Sequence, residues 1–154
     1  MCFSATASFA AGAVLLATGV VTTRLARRPG EIPYASIPLL FGIQQLIEGA
    51  LWLTFPDKAP FLNTALTYAY SVFSHVLWPI YVPIAVYLLE TVTWRRKALL
   101  VTAAGGTIVG LYLLYFLIRL PIVAEAAERH IDYVSPHFYV QIVMALYILG
   151  TCVS

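Results

Sequence analysis

The chain has 154 residues, of which 61% are hydrophobic and only 10% are charged, and its formal net charge is +2. A water-soluble domain carries roughly 25% charged residues and cannot expose large apolar patches, so this composition excludes an ordinary soluble domain. The small net charge gives no reason to expect a nucleic-acid partner. The predicted partner is the lipid bilayer, and the predicted location is the plasma or inner membrane.

Five apolar segments are long enough, or nearly so, to cross about 30 Å of hydrocarbon at a rise of about 1.5 Å per residue. They predict an all-α fold, a single polytopic bundle of transmembrane helices over residues 1–154. The predicted spans are about 3–23, 34–55, 62–90, 98–120 and 136–154. The last segment ends at Ser154 without a charged flank. That ending favours truncation from a bundle of about seven spans.

The loops between the predicted spans alternate in charge. The first and third loops are basic, and the fourth carries several acidic residues with no predicted secondary structure. The positive-inside rule then places both basic loops in the cytoplasm and the N-terminus outside. The basic residues concerned are Arg24, Arg27, Arg28, Arg95, Arg96 and Lys97.

The second predicted span carries two amides and a carboxylate within an apolar run. At about 100° per residue, Gln44, Gln45, Glu48 and Trp52 share one helix face. An ionised carboxylate in mid-bilayer costs at least about 2.5 kcal/mol on insertion scales. Glu48 is therefore expected to face the bundle interior, to be protonated, or to have a partner.

The third predicted span has a matching polar stripe, formed by Tyr68, Ser71, His75 and Trp78. Its depth predicts a contact between His75 and Glu48, either direct or through one water molecule. Pro79 and Pro83 follow, and each removes an amide donor, which frees the carbonyls of His75 and Pro79 if the helix is regular. Such broken backbone is tolerated in membranes where it faces protein or a watery cavity.

These two stripes predict a binding site for a small solute or proton between the second and third spans. Glu48 is the predicted proton or cation acceptor and His75 a titratable partner. The full set of predicted site residues is Glu48, His75, Gln44, Gln45, Ser71 and Trp52. The alternative is that the same groups only hold helices together in a structural membrane subunit. The sequence does not identify a cofactor and does not decide whether the protein is an enzyme.

Two weaker patterns remain. Cys2, Ser4, His130, Asp132 and His137 are all predicted at the outer surface, but their spacing is not that of a metal site, and no metal ligands are assigned. Small residues four apart, Ser8 with Gly12 and Gly106 with Gly110, predict helix-packing faces, which also suit a homo-oligomer.

Three segments carry a resemblance to a family of uncharacterised bacterial integral membrane proteins. They are the opening MCFSATASF, the segment FGIQQLIEG at 41–49 and the segment WPIYVP at 78–83. The resemblance covers most of the chain, but the family implies no established activity. Its members continue with further spans, which agrees with the expected truncation.

The spacing of Ser71 and His75 is similar to the Ser-x-x-x-His pair of alkaline ceramidase-like membrane hydrolases. That resemblance implies an intramembrane zinc site, and a zinc-dependent hydrolase is the alternative function from another class. The sequence departs from the pattern, because Val86 stands where an acidic ligand is expected and the paired histidines of a last helix are absent.

Overall fold

The computed structural model describes residues 4–55, 59–127, 130–134 and 140–152. Helices dominate these ranges, and the predicted all-α bundle is confirmed. The helices are α1 (Ala5–Leu25), α2 (Ile32–Ala35), α3 (Ile37–Trp52), α4 (Pro60–Ser71), α5 (Trp78–Leu89), α6 (Thr93–Arg119) and α7 (Val140–Cys152). A 3-10 turn at Pro29–Glu31 precedes α2, and a π-helical segment at Val72–Leu77 joins α4 to α5.

Each of the predicted spans contains a helix, but their lengths differ. The helices Ala5–Leu25, Pro60–Leu89 and Thr93–Arg119 are long and apolar enough to cross a membrane. Helix α3 has 16 residues and the described part of α7 has 13. Helix α3 is shorter than predicted because the helix is interrupted at Ser36. Pro38 lacks the N–H that would donate to the Tyr34 carbonyl.

Side-chain hydrogen bonds hold the break at Ser36 in place. The Thr22 hydroxyl of α1 donates to the Ala35 carbonyl at 2.6 Å. The Ser36 hydroxyl lies 2.6 Å from the Tyr81 hydroxyl, which donates to the Pro33 carbonyl at 3.0 Å. The corner between α2 and α3 is therefore attached to both α1 and α5.

Glycines let two helix pairs approach closely. A methyl group at Gly19 of α1 would overlap the backbone of Leu39 in α3, and one at Gly106 of α6 would overlap the Pro79 carbonyl oxygen. The small-residue faces predicted for packing are thus occupied by helices of the same chain. Helix α3 packs against α1 and α4, the α4–α5 helix packs against α6, and α7 lies against α5 and α6.

A β-hairpin replaces the predicted fourth loop. Strands β1 (Val123–Ala127) and β2 (His130–Val134) pair antiparallel, with Glu125 opposite Asp132. Ala124 and Ile131 are buried with Leu51 at the C-terminal end of α3. The prediction of an irregular loop was wrong because the charged residues occupy only the exposed face of these strands, while Ile131 and Tyr133 alternate with them on the inner face.

Candidate functional site

A direct hydrogen bond joins the polar faces of the second and third predicted spans. Trp78 Nε1 donates to Gln44 Oε1 at 2.6 Å, and both side chains are buried. The Trp78 ring also stacks on Phe41, with ring centroids 4.0 Å apart. Because a buried amide needs a partner, this bond fixes α3 against the start of α5.

Glu48 lies one turn beyond Gln44 on the same side of α3 and has no exposed surface. The hairpin residue Tyr133 reaches this region and stacks on Tyr70, with centroids 4.5 Å apart and ring planes 4° from parallel. Burial, then Tyr70, and then the negative charge of Glu48 raise the pKa of Tyr133 above its usual value. Tyr133 also packs against the buried cluster that contains Leu51 of α3, so the hairpin covers this end of the polar face.

His75 is half-buried in the π-helical segment. Its Nδ1 lies 2.8 Å from Ser74 Oγ and 3.2 Å from the Ser71 carbonyl oxygen. Within the described part of the chain, Ser71 Oγ is buried and has no hydrogen-bond partner. Ser71 and His75 have the Ser-x-x-x-His spacing, but His75 Nδ1 contacts the main-chain carbonyl of Ser71 and not the Ser71 hydroxyl. The approach of His75 to Glu48 stays a prediction.

The π-helical segment changes which carbonyl Pro79 leaves without a donor. Trp78 N–H donates to the Phe73 carbonyl, five residues back, so in this register the Ser74 carbonyl would accept from residue 79. Pro79 has no N–H, and the Tyr147 hydroxyl of α7 donates to Ser74 O at 2.7 Å instead. The carbonyl that lacks its helical donor is therefore that of Ser74. An α-helical register predicted the carbonyl of His75, one residue later.

The two helix-breaking prolines do not themselves border open space. Pro79 and Pro83 are fully buried, and the Pro79 carbonyl faces Gly106 of α6. On that side the freed backbone thus faces protein, namely α6. Open space lies on another side of the same helix, along the stripe of residues 70, 74, 78, 82 and 86.

This open space is a groove of about 520 Å³ between α3, the α4–α5 helix and α7. Aromatic and small polar side chains dominate its lining, and none of the described lining residues is charged. The lining residues are Tyr34, Ile37, Phe41, Gln44, Tyr70, Ser74, Trp78, Val82, Val86, Tyr147, Thr151 and Cys152.

The groove includes only part of the predicted site. Gln44 lines it, whereas Glu48, His75 and Ser71 are not among its lining residues. Gln45 is half-buried, and Trp52, the last residue of α3, packs edge-on against Phe55. Tyr70, Tyr133 and Tyr147 were not predicted as site residues, because single tyrosines in apolar or polar segments give no local signal of a long-range contact.

The residues predicted at the outer surface do not form a metal centre within the described ranges. His130 Nε2 and Asp132 Oδ1 lie 3.0 Å apart on β2, and both side chains are about half exposed. Ser4 is the N-cap of α1 and accepts from Ala7 N–H at 3.2 Å. Cys2 and His137 lie outside the described residues. Elsewhere in the described chain, too, no three His, Cys, Asp or Glu side chains are grouped as metal ligands.

Comparison with known families agrees with the resemblance seen in the sequence. A model described as a family of unknown function (DUF6629) matches residues 1–154, the full length given, and the chain therefore belongs to this family. No curated protein and no solved structure matches the sequence. The chain is thus a member of an uncharacterised family with helices that suit a membrane.

Proposed function

We propose that the chain is a multi-pass integral membrane protein that binds or moves a small solute or a proton through the polar region between α3 and the α4–α5 helix. The observation that carries the proposal is a completely buried carboxyl group, Glu48, one helical turn from the groove residue Gln44. Intramembrane ionisable groups are rare and commonly mark ion or proton pathways. Glu48 is the proton or cation acceptor in this account.

The groove supports the solute-binding part of the proposal. Its volume of about 520 Å³ is within the roughly 300–1,000 Å³ typical of ligand pockets. Trp78 and Tyr70 offer aromatic surface, and Gln44, Ser74 and Thr151 offer polar atoms at several depths. This combination suits a small solute with an apolar body and a polar end.

The arrangement of the basic loops supports a plasma or inner membrane location with the N-terminus outside. Gly30 of the first loop packs against the Leu88 carbonyl at the end of α5, so the first and third loops lie at the same end of the bundle. Under the positive-inside rule that end is cytoplasmic.

Cysteine accessibility tests whether the groove admits water. The experiment uses Ser74→Cys in a Cys2→Ser, Cys152→Ser background, reconstituted in lipid, with a charged methanethiosulfonate reagent. We expect Ser74→Cys to react, because thiolates form in water and not in hydrocarbon. Ile108→Cys is the control, since Ile108 is 67% exposed in the middle of α6 and faces lipid in this account.

Two outcomes would overturn the proposal. An unreactive Ser74→Cys in a folded protein means that lipid or protein fills the groove, which favours a structural subunit. Equal reactivity of Ser74→Cys and Ile108→Cys means that α6 does not cross the membrane.

A further inference from the structure

A second pocket lies at the basic end of the bundle, remote from Glu48. It has a volume of about 350 Å³ and is formed by the first loop and by the connection between α5 and α6. Two guanidinium groups and two carboxylates line it, together with apolar and main-chain surface. The lining residues are Arg28, Gly30, Glu31, Leu88, Leu89, Glu90, Thr91 and Arg96.

Gly30 brings the two halves of this pocket together. A Cβ atom at Gly30 would lie 2.9 Å from the Leu88 carbonyl oxygen, closer than real Cβ atoms come. The absence of a side chain therefore lets the 3-10 turn rest on the end of α5. This contact places Arg28 across the pocket from Arg96.

Main-chain hydrogen bonds fix both carboxylates. Glu31 Oε2 accepts from the N–H groups of Arg27 and Arg28 at 2.8 and 3.2 Å. Glu90 Oε1 accepts from Val92 and Thr91 at 2.8 and 2.9 Å. These bonds, of which Arg27 and Val92 make the largest contributions, hold the pKa of each carboxyl group below its usual value. Both groups are therefore anionic near neutral pH.

Arg96 is also held in position. Its Nη2 donates to the Tyr87 hydroxyl at 3.0 Å, and its guanidinium lies 4.8 Å from the centre of the Tyr87 ring. A guanidinium has five N–H donors, so one bond to Tyr87 leaves donors for an anion. Arg28, on the other wall, is exposed.

The charges of the pocket and its surroundings indicate the kind of ligand. The lining holds two positive and two negative side chains, and Arg95 Nη1, outside the lining, lies 3.8 Å from Glu90 Oε2. The two carboxylates favour a zwitterion over a simple anion, which they would repel. Exposed Leu88, Val92 and Trp94 flank the pocket where the helices end. That is the level of lipid headgroups, with apolar surface for acyl chains beside it.

We propose that this pocket binds the headgroup of a phospholipid that carries a phosphate and a primary ammonium. Arg28 and Arg96 bind the phosphate, and Glu31 and Glu90 accept hydrogen bonds from the ammonium. The site goes beyond the solute site proposed above and shares with it only the location in a membrane.

Native mass spectrometry of the purified full chain, titrated with dioleoyl lipids, tests the proposal. Phosphatidylethanolamine is expected to bind about tenfold tighter than phosphatidylcholine, whose quaternary ammonium has no N–H donor, and than phosphatidylglycerol, which has no cation. Arg96→Gln is expected to lower the affinity for phosphatidylethanolamine by about tenfold, and Arg96→Lys by less.

Arg119→Gln is the matched control, because Arg119 lies 5.8 Å over the Tyr115 ring at the opposite end of α6. It is expected to leave lipid binding unchanged. Gly30→Ala keeps all four charges and separates the walls, so it is expected to weaken binding as Arg96→Gln does.

Several results would overturn the inference. Equal binding of the three lipids, or an equal loss in Arg119→Gln, indicates non-specific attraction. Tightest binding of phosphatidylglycerol indicates a simple anion site. Displacement of the lipid by equimolar soluble phosphoethanolamine indicates a free headgroup compound as the ligand.

Discussion

Tyr147 contributes a hydrogen bond that the helix cannot make for itself. The Ser74 carbonyl loses its helical donor because the next N–H position in the π register is Pro79, and the Tyr147 hydroxyl donates to it at 2.7 Å. This bond ties α7 to the middle of the longest apolar helix. It also closes one side of the groove, because Tyr147 and Ser74 both line it.

Removing this hydroxyl should destabilise the protein. Tyr147→Phe leaves the carbonyl without its donor while keeping the ring, and we expect a loss of about 1 kcal/mol, as for other hydrogen bonds between membrane helices. Thermal unfolding in detergent measures it. Tyr115→Phe is the control, because Tyr115 is 57% exposed on α6. Equal unfolding temperatures for the two variants would show that the bond contributes nothing.

Side-chain roles were predictable from the sequence only where the signal is local. The burial of Gln44 and Glu48 followed from the scarcity of polar groups in apolar helices, and their shared helix face followed from their spacing. The partner of Gln44, Trp78, comes from a distant segment, and so does Tyr133, which packs near Leu51 of the same helix. Spacing along one helix cannot show that Tyr133 of a hairpin folds back over α3.

Helix α6 packs on the α4–α5 helix through the face that contains Gly106. A methyl group at Gly106 would overlap the Pro79 carbonyl, whereas one at Gly105 would meet nothing within 4 Å. Substitution of either glycine by alanine therefore changes helix propensity equally, but only the methyl group at position 106 would overlap another helix.

We expect Gly106→Ala to destabilise the protein by about 1–3 kcal/mol, as overpacking of a close contact does. Gly105→Ala is expected to be neutral or stabilising by up to about 1 kcal/mol, because alanine favours helix. Thermal unfolding of both variants in the same detergent measures the difference. If both substitutions stabilise, α6 does not pack closely on Pro79.

At the scale of elements, the apolar composition and length of the segments predicted the helices but not their breaks. The boundaries of α1 and α6 lie within a few residues of the predicted spans, except that α6 begins earlier, at Thr93. The position of the π-helical segment and the start of α3 depend on how prolines pack against neighbouring helices. The hairpin escaped prediction because its strands are short and half polar.

Charge is distributed unequally between the two ends of the molecule. The end with the phospholipid pocket carries the basic loops, and the other end carries the hairpin with Glu125 and Asp132. For the proposed orientation, Lys97→Cys in cells should resist a membrane-impermeant thiol reagent, while Glu125→Cys at the opposite end should react. Labelling of Lys97→Cys together with protection of Glu125→Cys would show that the orientation is the opposite one.

The function proposed for the whole molecule requires that Glu48 titrates. Glu48→Gln is nearly isosteric and still forms hydrogen bonds, so a carboxyl group that only joins helices should tolerate it. If Glu48 exchanges protons, the substitution should leave stability equal or raise it, because the cost of a buried charge disappears with its chemistry. Glu125→Gln makes the same chemical change on the exposed face of the hairpin and is the control.

Proton flux into reconstituted vesicles, driven by a potassium diffusion potential and read by a trapped pH-sensitive dye, tests this claim most directly. Across roughly pH 5 to 8, where histidine partners also titrate, we predict flux above that of protein-free vesicles for the unsubstituted chain and for Glu125→Gln. The flux should be lower in Glu48→Gln than in the unsubstituted chain by about tenfold or more. Equal flux in Glu48→Gln and the unsubstituted chain over the whole pH range would contradict the account.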